Sequence, residues 1–348
     1  MWFYTVVFIL LILINGLAYF YKSAKLAYII SLFFLIIIAA FRPATCCADY
    51  STYVDYYNDI SYIPLSFLEP SYFVITAISR TLFSSPIGVF IIYAILGVCL
   101  KGLAIAKLTK YYAVSLILYF GSFFLLHEMT QIRVGVAAGI LLLSIPYIQQ
   151  KKLIKFVSLI LIGCLFHYSL IIFLPFYFID SFKINKLAYI SIVIGIYVIT
   201  LAGVNFLTIL NYVKLGFLSS KIEAYQALLQ QGMFGGISLI NPLLYLRIII
   251  LIFFIVNYKA LLLKNQYAVI IIKIYAFSIL AFIGFSPLPI LAGRVSQLLG
   301  VVEIILVPYG IYILKPRYVA AVLFVMFALL IMYKQLYYSD LMSGYFDF

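Results

Sequence analysis

The sequence is short of almost everything from which a soluble catalytic domain is built. Only 9% of its residues are charged, with ten acids, two histidines, four cysteines and one tryptophan. So little charge excludes a hydrated globular surface, since an ordinary soluble domain carries about a quarter of its residues as Asp, Glu, Lys and Arg. The four cysteines are too scattered for a disulfide framework: Cys99 and Cys164 sit in apolar runs as small hydrophobes, and Cys46 and Cys47 stand side by side. Neither His127 nor His167 has metal-ligand spacing around it, so no metal site and no cofactor is expected. There is no internal repeat, which weighs against a transporter built from two inverted halves.

What is present is apolar: 67% of 348 residues are hydrophobic and 18% aromatic. This composition reads as all-α, a polytopic membrane protein forming one transmembrane domain over residues 1–348. A span needs about 20 apolar residues. Candidate spans are 2–20, 26–41, 86–106, 112–127, 131–149, 187–208, 242–258, 267–286, 295–314 and 317–336. The first has no charged residue before Lys22 and reads as a retained span rather than a cleaved leader. Two further segments, 70–84 and 153–179, have lengths that fit neither one span nor two and read as re-entrant or broken, which brings the total to about 10–12 membrane segments.

The net charge of +13 falls in short Lys clusters between apolar runs, the pattern of cytoplasmic turns rather than of a nucleic-acid surface. Placing Lys22/Lys25, Lys101/Lys107/Lys110, Lys151/Lys152/Lys155, Lys183/Lys186, Lys259/Lys264 and Lys315/Arg317 inside leaves both termini outside, with long outer loops at 42–69 and 209–241. Arg42, Asp49, Glu69, His127, Glu128, Arg133, His167 and Arg294 then gather toward the outer face.

An ionisable group in a membrane is costly unless paired or hydrated, so each is a functional candidate. Arg133, followed by Gly135 and Gly139 at close-packing spacing, reads as a rigid guanidinium for phosphate or carboxylate, or as a snorkelling interfacial cation. Arg294 follows Ser286-Pro287-Leu288-Pro289 at the start of a span, as a second positioned cation. Glu303, about 13 Å further along the same helix, is a substrate contact or half of an ion pair with a neighbouring helix. In 48–59 Tyr50, Tyr53 and Tyr57 share a helical face that suits either stacking on sugar rings or an interfacial belt, and Arg42 and Asp49 stand beside it. Glu69 before Pro70 is a cap or a site residue. Asp49, Glu128 and His167 are the candidate bases, and His167 could equally bridge a helix break.

Taken in order, these landmarks resemble the EpsG-like and Wzy-type polysaccharide polymerases. They are Phe41-Arg42, Asp49-Tyr50 with Tyr53, Glu69-Pro70, Gln131-Ile132-Arg133, Phe166-His167-Tyr168-Ser169 ahead of Leu174-Pro175, and Gly293-Arg294 with Glu303 and Pro308. Pro43–Ala48 stands where that family usually has a glycine-rich run. The resemblance implies a multispan glycosyltransferase of the lipid-donor type in the bacterial inner membrane. Such an enzyme joins undecaprenyl-pyrophosphate-linked oligosaccharide donor and acceptor at the periplasmic face, with inversion and without a metal. Membrane lipids surround it, a chain-length regulator is a possible partner, and no nucleic acid is involved. Arg42, Arg133 and Arg294 would then hold the diphosphate. The rival is a transporter or flippase of lipid-linked sugars, which would spread charge through the whole depth of the bilayer.

Overall fold

The computed structural model describes every residue except Lys22, Ala48, Ser66, 205–236, Asp340, Leu341, Ser343, Gly344 and 346–348, so most of the expected outer loop 209–241 lies outside the described residues. The described chain is helical, with an isolated β-bridge between Cys47 and Met342. It packs as two compact units, residues 1–179 with 304–348, and residues 180–303. Among the described residues five helices are long and apolar enough to cross a membrane by length and composition, and seven shorter apolar helices accompany them.

In the first unit α1 (Trp2–Phe20) and α2 (Ala24–Ala40) are followed by a short helix α3 (Tyr50–Asn58), then α4 (Pro70–Leu82) and α5 (Ile87–Leu108). A helix α6 (Tyr112–Tyr119) runs on as a π-helix over Phe120–Thr130, breaks at Gln131, and is followed by α7 (Ile132–Gln149). α8 (Leu153–Cys164) turns into a 3₁₀ helix over Tyr168–Phe178. The expected span 112–127 is thus α6 plus a π-helix, wider per turn than an α-helix and a form frequent at functional sites.

The basic turns of this unit collect at one end. Lys107 lies over the Tyr147 ring, Tyr28, one turn from Lys25, meets the Tyr112 ring at a tilt, and the Tyr309 hydroxyl donates to the Leu108 carbonyl. The opposite end gathers Phe3, Tyr345 and the start of the loop 42–69: Tyr345 stacks on Phe3 at 4.2 Å and donates to the carbonyl of Phe41 at 3.0 Å. This is the sorting that the lysine turns predict, with one correction. Lys101, expected in the basic turn with Lys107 and Lys110, lies inside α5 and is fully buried. A lone lysine near the end of a hydrophobic run reads as a loop residue. Only a partner on another helix lets it stay inside, and α5 packs that partner against it.

Both segments of awkward length lie in hairpins. α4 runs antiparallel to α5: Tyr72 stacks on Tyr93, while Gly88 abuts Ser79 and Phe83. The chain therefore descends by turns through 59–69, reaches its lowest point at Glu69, and climbs back as α4. Proline fits there because the first helical position needs no backbone N–H. Arg80 closes the mouth of this hairpin by donating to the carbonyls of Tyr57 and Asn58. The second hairpin rises from the basic end as α8, whose 12 residues are too few to cross a bilayer. It turns at Leu165–His167 and returns as the 3₁₀ helix, its mouth closed by Lys151 donating to the Tyr177 carbonyl. The two hairpins meet tip to tip, where the Ser71 N–H donates to the Leu165 carbonyl at 3.0 Å.

The second unit contains α9 (Lys186–Leu201), α10 (Pro242–Val256), α11 (Tyr258–Leu262), α12 (Ala268–Gly284) and α13 (Pro289–Gly300). α9 and α10 both begin at asparagines, Asn185 and Asn241, whose side chains accept from early backbone N–H groups as N-caps do. The expected span 295–314 begins earlier, at Pro289, so Arg294 is inside a helix rather than at its start. Proline breaks a helix from its interior, but in the first turn it starts one, and Pro289 holds that position. The remaining helices, α14 (Glu303–Leu306), α15 (Gly310–Ile313) and α16 (Arg317–Tyr337), follow, and all but Glu303 belong to the first unit.

Candidate functional site

The tips of the two hairpins bring together three of the sequence candidates. Glu69, 5% exposed, ion-pairs through Oε2 with Nη1 of Arg133 and through Oε1 lies 3.0 Å from Nδ1 of His167. Arg133 is in the first turn of α7 and His167 is the extended residue between α8 and the 3₁₀ helix, so three separate elements supply the three side chains. With the carboxylate accepting from Nδ1–H, the neutral imidazole carries its lone pair on Nε2, the arrangement that orients a general base. The geometry gives the tautomer by its hydrogen bond, not by an observed proton.

A tyrosine layer covers this junction. The Arg133 guanidinium lies 5.8 Å from the Tyr53 ring centroid, Tyr53 stacks with Tyr72, and Tyr72 donates to the Tyr53 carbonyl at 2.6 Å. Tyr93 continues the layer and meets Phe166 edge-on. Tyr93 lies nearly two turns into α5 from Ile87, so the junction is sunk below the end of the bundle that carries the loop 42–69. Tyr50 stacks on Phe90 at 4.6 Å, and Phe90 also lies under the Arg42 guanidinium at 4.8 Å. Asp49 precedes α3, with Tyr53 and Cys47 near enough to feel its charge. Tyr50, Tyr53, Arg42 and Asp49 therefore sit on this side of the same unit, as expected from the loop.

Arg42 uses two of its nitrogens on carbonyl oxygens, those of Ala39 at 2.8 Å and Met129 at 2.5 Å. Both carbonyls are at helix C-termini, where such acceptors lack intrahelical partners. Among the described residues Arg42 Nη2 and Arg133 Nε have no hydrogen-bond partner, so the guanidinium groups keep unspent donors. Arg133 is also at the N-terminus of a long helix, which favours negative charge.

Glu128 does not join this junction. It lies deeper than expected: a Cβ on Gly97, nearly three turns into α5, would strike its carboxylate. There Lys101 donates to its Oε1 at 2.5 Å and to the Gly135 carbonyl at 2.5 Å, and Tyr119 donates to the same carboxylate oxygen at 2.9 Å. The location corrects the expectation of an outer-face residue. Its neighbour His127 is fully buried against Phe123, and neither ring nitrogen has a partner among the described residues.

Arg294 and Glu303 belong to the second unit. Arg294 is exposed and forms no hydrogen bond or ion pair among the described residues. Glu303, 1% exposed, is half of an ion pair with a neighbouring helix, one of the two alternatives open from sequence: Arg247 Nε lies 3.4 Å from its Oε2, to which Tyr275 donates at 3.2 Å. Sequence reasoning missed the buried role of Lys101 and the tyrosines Tyr72, Tyr93, Tyr119 and Tyr275, and it left Arg247, a charge in an apolar segment, without a site. For the two cations the signal was present, as charges within apolar runs, but nothing in the order of residues names their partners. The tyrosines carried no signal in a chain that has 32 of them. Among the described residues no group of three His, Cys, Asp or Glu could hold a metal ion, and Cys46 and Cys47 are free thiols.

Comparison of the chain with curated proteins and with solved structures gives no match. A family model does match, that of the EpsG family, over residues 25–347, nearly the whole length. Its polytopic helical build and this near-complete match agree, and the chain belongs to the EpsG family, a family of Wzy-like polymerases acting in exopolysaccharide and O-antigen synthesis.

Proposed function

We propose that the protein joins oligosaccharide repeat units carried on undecaprenyl pyrophosphate, and that the Glu69–Arg133–His167 junction is where the transfer occurs. The observation that carries this reading is the convergence of a carboxylate, a guanidinium and an imidazole from three elements, with no hydrogen bond to the imidazole Nε2 among the described residues. A hydroxyl of the acceptor repeat unit attacks the anomeric carbon of the donor sugar. The bond from that carbon to the pyrophosphate oxygen breaks with its electron pair remaining on the leaving group, and the hydroxyl proton passes to His167 Nε2. Attack from the face opposite the leaving group inverts the anomeric centre.

Pyrophosphate is a good leaving group, so charge stabilisation matters more than proton donation to it. Arg133, with its free Nε and the N-terminus of α7 behind it, is suited to that charge, and Arg42 Nη2 offers a further donor. Glu69 positions both Arg133 and His167. Tyr50, half-buried, offers a ring for a sugar beside these groups, while Tyr53 is buried between Arg133 and Tyr72. Glu128 is occupied by Lys101, which leaves His167 as the stronger candidate base and Asp49 as the second. This reading puts the junction at the outer face of the bacterial inner membrane, since the lysine turns lie at the opposite end. It also needs no metal.

The test is polymer formation in a strain lacking its own copy, with wild type, Arg133→Ala and His167→Ala at matched expression and the surface glycan ladder as readout. Loss of the ladder while single repeat units still reach the surface supports polymerisation at this junction. If single units fail to reach the surface when the protein is absent, export is the missing step and the protein is a flippase.

A further inference from the structure

Cys46 and Cys47, adjacent in the loop after α2, take no part in the transfer chemistry. Their backbone is not helical: the Cys46 N–H closes a turn onto the Pro43 carbonyl at 3.2 Å, and Cys47 forms the isolated bridge with Met342. Neighbouring side chains of an extended strand point to opposite sides. Here the turn brings them together, and the Cys46 thiol donates to the Cys47 sulfur at 3.3 Å. Both are free thiols. A covalent S–S bond is about 2.05 Å long, so closing the pair into a disulfide moves the sulfurs by only about 1.3 Å.

The surroundings give the two thiols different roles. Cys46 is fully buried, with Tyr4 and Tyr345 near it, whereas Cys47 is 6% exposed. Accepting the hydrogen bond from Cys46 lowers the Cys47 thiol from its ordinary range; burial opposes this, the Arg42 guanidinium lowers it further, and Asp49 opposes in turn. Donating that bond, together with burial, pushes the Cys46 thiol up. The thiolate is the nucleophile in disulfide exchange, so Cys47 is the thiol equipped to attack and Cys46 the one placed to resolve. The product is not a structural staple. Consecutive Cα atoms are about 3.8 Å apart, whereas ordinary disulfides span about 4.4–6.8 Å, so a ring closed across one peptide unit is strained, and strained disulfides are the readily reversed ones.

We propose that Cys46 and Cys47 form a reversible thiol–disulfide exchange site, with Cys47 as the attacking thiol, Cys46 as the resolving thiol and a small-molecule disulfide as the oxidant. The Cys47 thiolate attacks one sulfur of the donor, whose S–S bond breaks; the released half takes up the proton that Cys47 had given to solvent. Cys46 then attacks Cys47 Sγ in the mixed disulfide, and its proton leaves with the second half of the donor. Two cysteine thiols are oxidised to one vicinal disulfide and the donor is reduced to two thiols. The polymerase reading puts this end of the unit on the outer side of the membrane, where disulfides persist, but the exchange itself does not depend on that reading. Closing the ring removes a thiolate from beside Arg42, a residue of the transfer site.

The experiment uses the full-length protein in lipid nanodiscs, reduced and then incubated in parallel with oxidised glutathione and with the smaller 2-hydroxyethyl disulfide. Remaining thiols are alkylated with N-ethylmaleimide in denaturant and located by peptide mass spectrometry. The peptide carrying Cys46 and Cys47 should lose two hydrogens, carry neither donor adduct nor label, and accept two labels again after dithiothreitol, while Cys99 and Cys164 keep theirs. Cys46→Ser should instead hold a lasting donor adduct on Cys47, and Cys47→Ser should react at Cys46 about tenfold more slowly or less, as a buried protonated thiol does. Two labels on the wild-type peptide with both donors overturn the proposal, as do a lasting adduct without ring closure, a bridge to Cys99 or Cys164, and equal rates in the two variants. Because the readout is a mass, it stands or falls whatever the surface glycan ladder shows.

Discussion

Each unit of this protein buries a glutamate against an arginine from another helix, yet the two pairs are finished differently. In the first unit Glu69 has both oxygens taken, one by Arg133 and one by His167, and the groups left with spare capacity are the guanidinium donors of Arg133 and Arg42. In the second unit Glu303 keeps one oxygen empty. The residue types alone would assign both clusters the same job. What separates them is how each carboxylate is held: Glu69 is shared between an arginine and a histidine from separate elements, whereas Glu303 has Arg247 and Tyr275 on one oxygen.

The strongest way to break this comparison is at His167. His167→Ala removes the imidazole while leaving Glu69 paired with Arg133, and should cut the polymerisation rate by about a thousandfold, within the usual range for a lost general base. A ladder of normal intensity would mean that the Glu69–His167 contact is a helix-break bridge and no more. Arg133→Ala should follow, with about a hundredfold loss expected for one lost charge-stabilising group, and Arg133→Lys should restore little because a point charge cannot reproduce the planar fork. Full rescue by lysine would show that charge alone matters.

The Lys101–Glu128 pair sharpens the comparison from the side of stability. It is fully buried, so Glu128→Ala, which strands the lysine, should destabilise the fold by about 3–5 kcal/mol, whereas Lys101→Met/Glu128→Leu together should recover most of that loss. Melting of the purified protein in detergent decides between them. If Glu128 were instead the base, the paired variant would fold but form no polymer. At the small end, Tyr53→Leu removes the ring beneath Arg133 and should lower activity only a fewfold, as expected for one cation–π contact of about 1 kcal/mol. Arg294→Ala, at an exposed position without a hydrogen bond or ion pair among the described residues, should change stability least of all.

Much of the bundle was readable because bilayer physics is one-dimensional. A run of apolar residues must be helical to satisfy its own backbone, and basic turns sort to one side, so spans such as 2–20 and 131–149 agree with α1 and α7 to within a residue. The misfit lengths of 70–84 and 153–179 were equally legible as fitting neither one span nor two, and each segment lies in a hairpin. The scarcity of charge marked Glu69, Arg133 and His167 as residues worth following.

Which charge meets which was not legible. Glu69 and Arg133 are 64 positions apart and Glu69 and His167 are 98, and no local periodicity encodes such separations. The same limit explains Lys101, assigned to a turn because a cation near the end of an apolar run has no visible reason to be inside. Hydropathy and charge thus determined by themselves that the chain is a membrane bundle and that the basic turns of the first unit collect at one end. Only the tertiary structure decided that two half-length hairpins meet tip to tip, that Glu69 is shared while Glu303 is left half satisfied, and that Glu128 answers to Lys101. The reason is physical: the membrane acts on each segment separately, whereas the pairing of buried charges depends on which helices pack together.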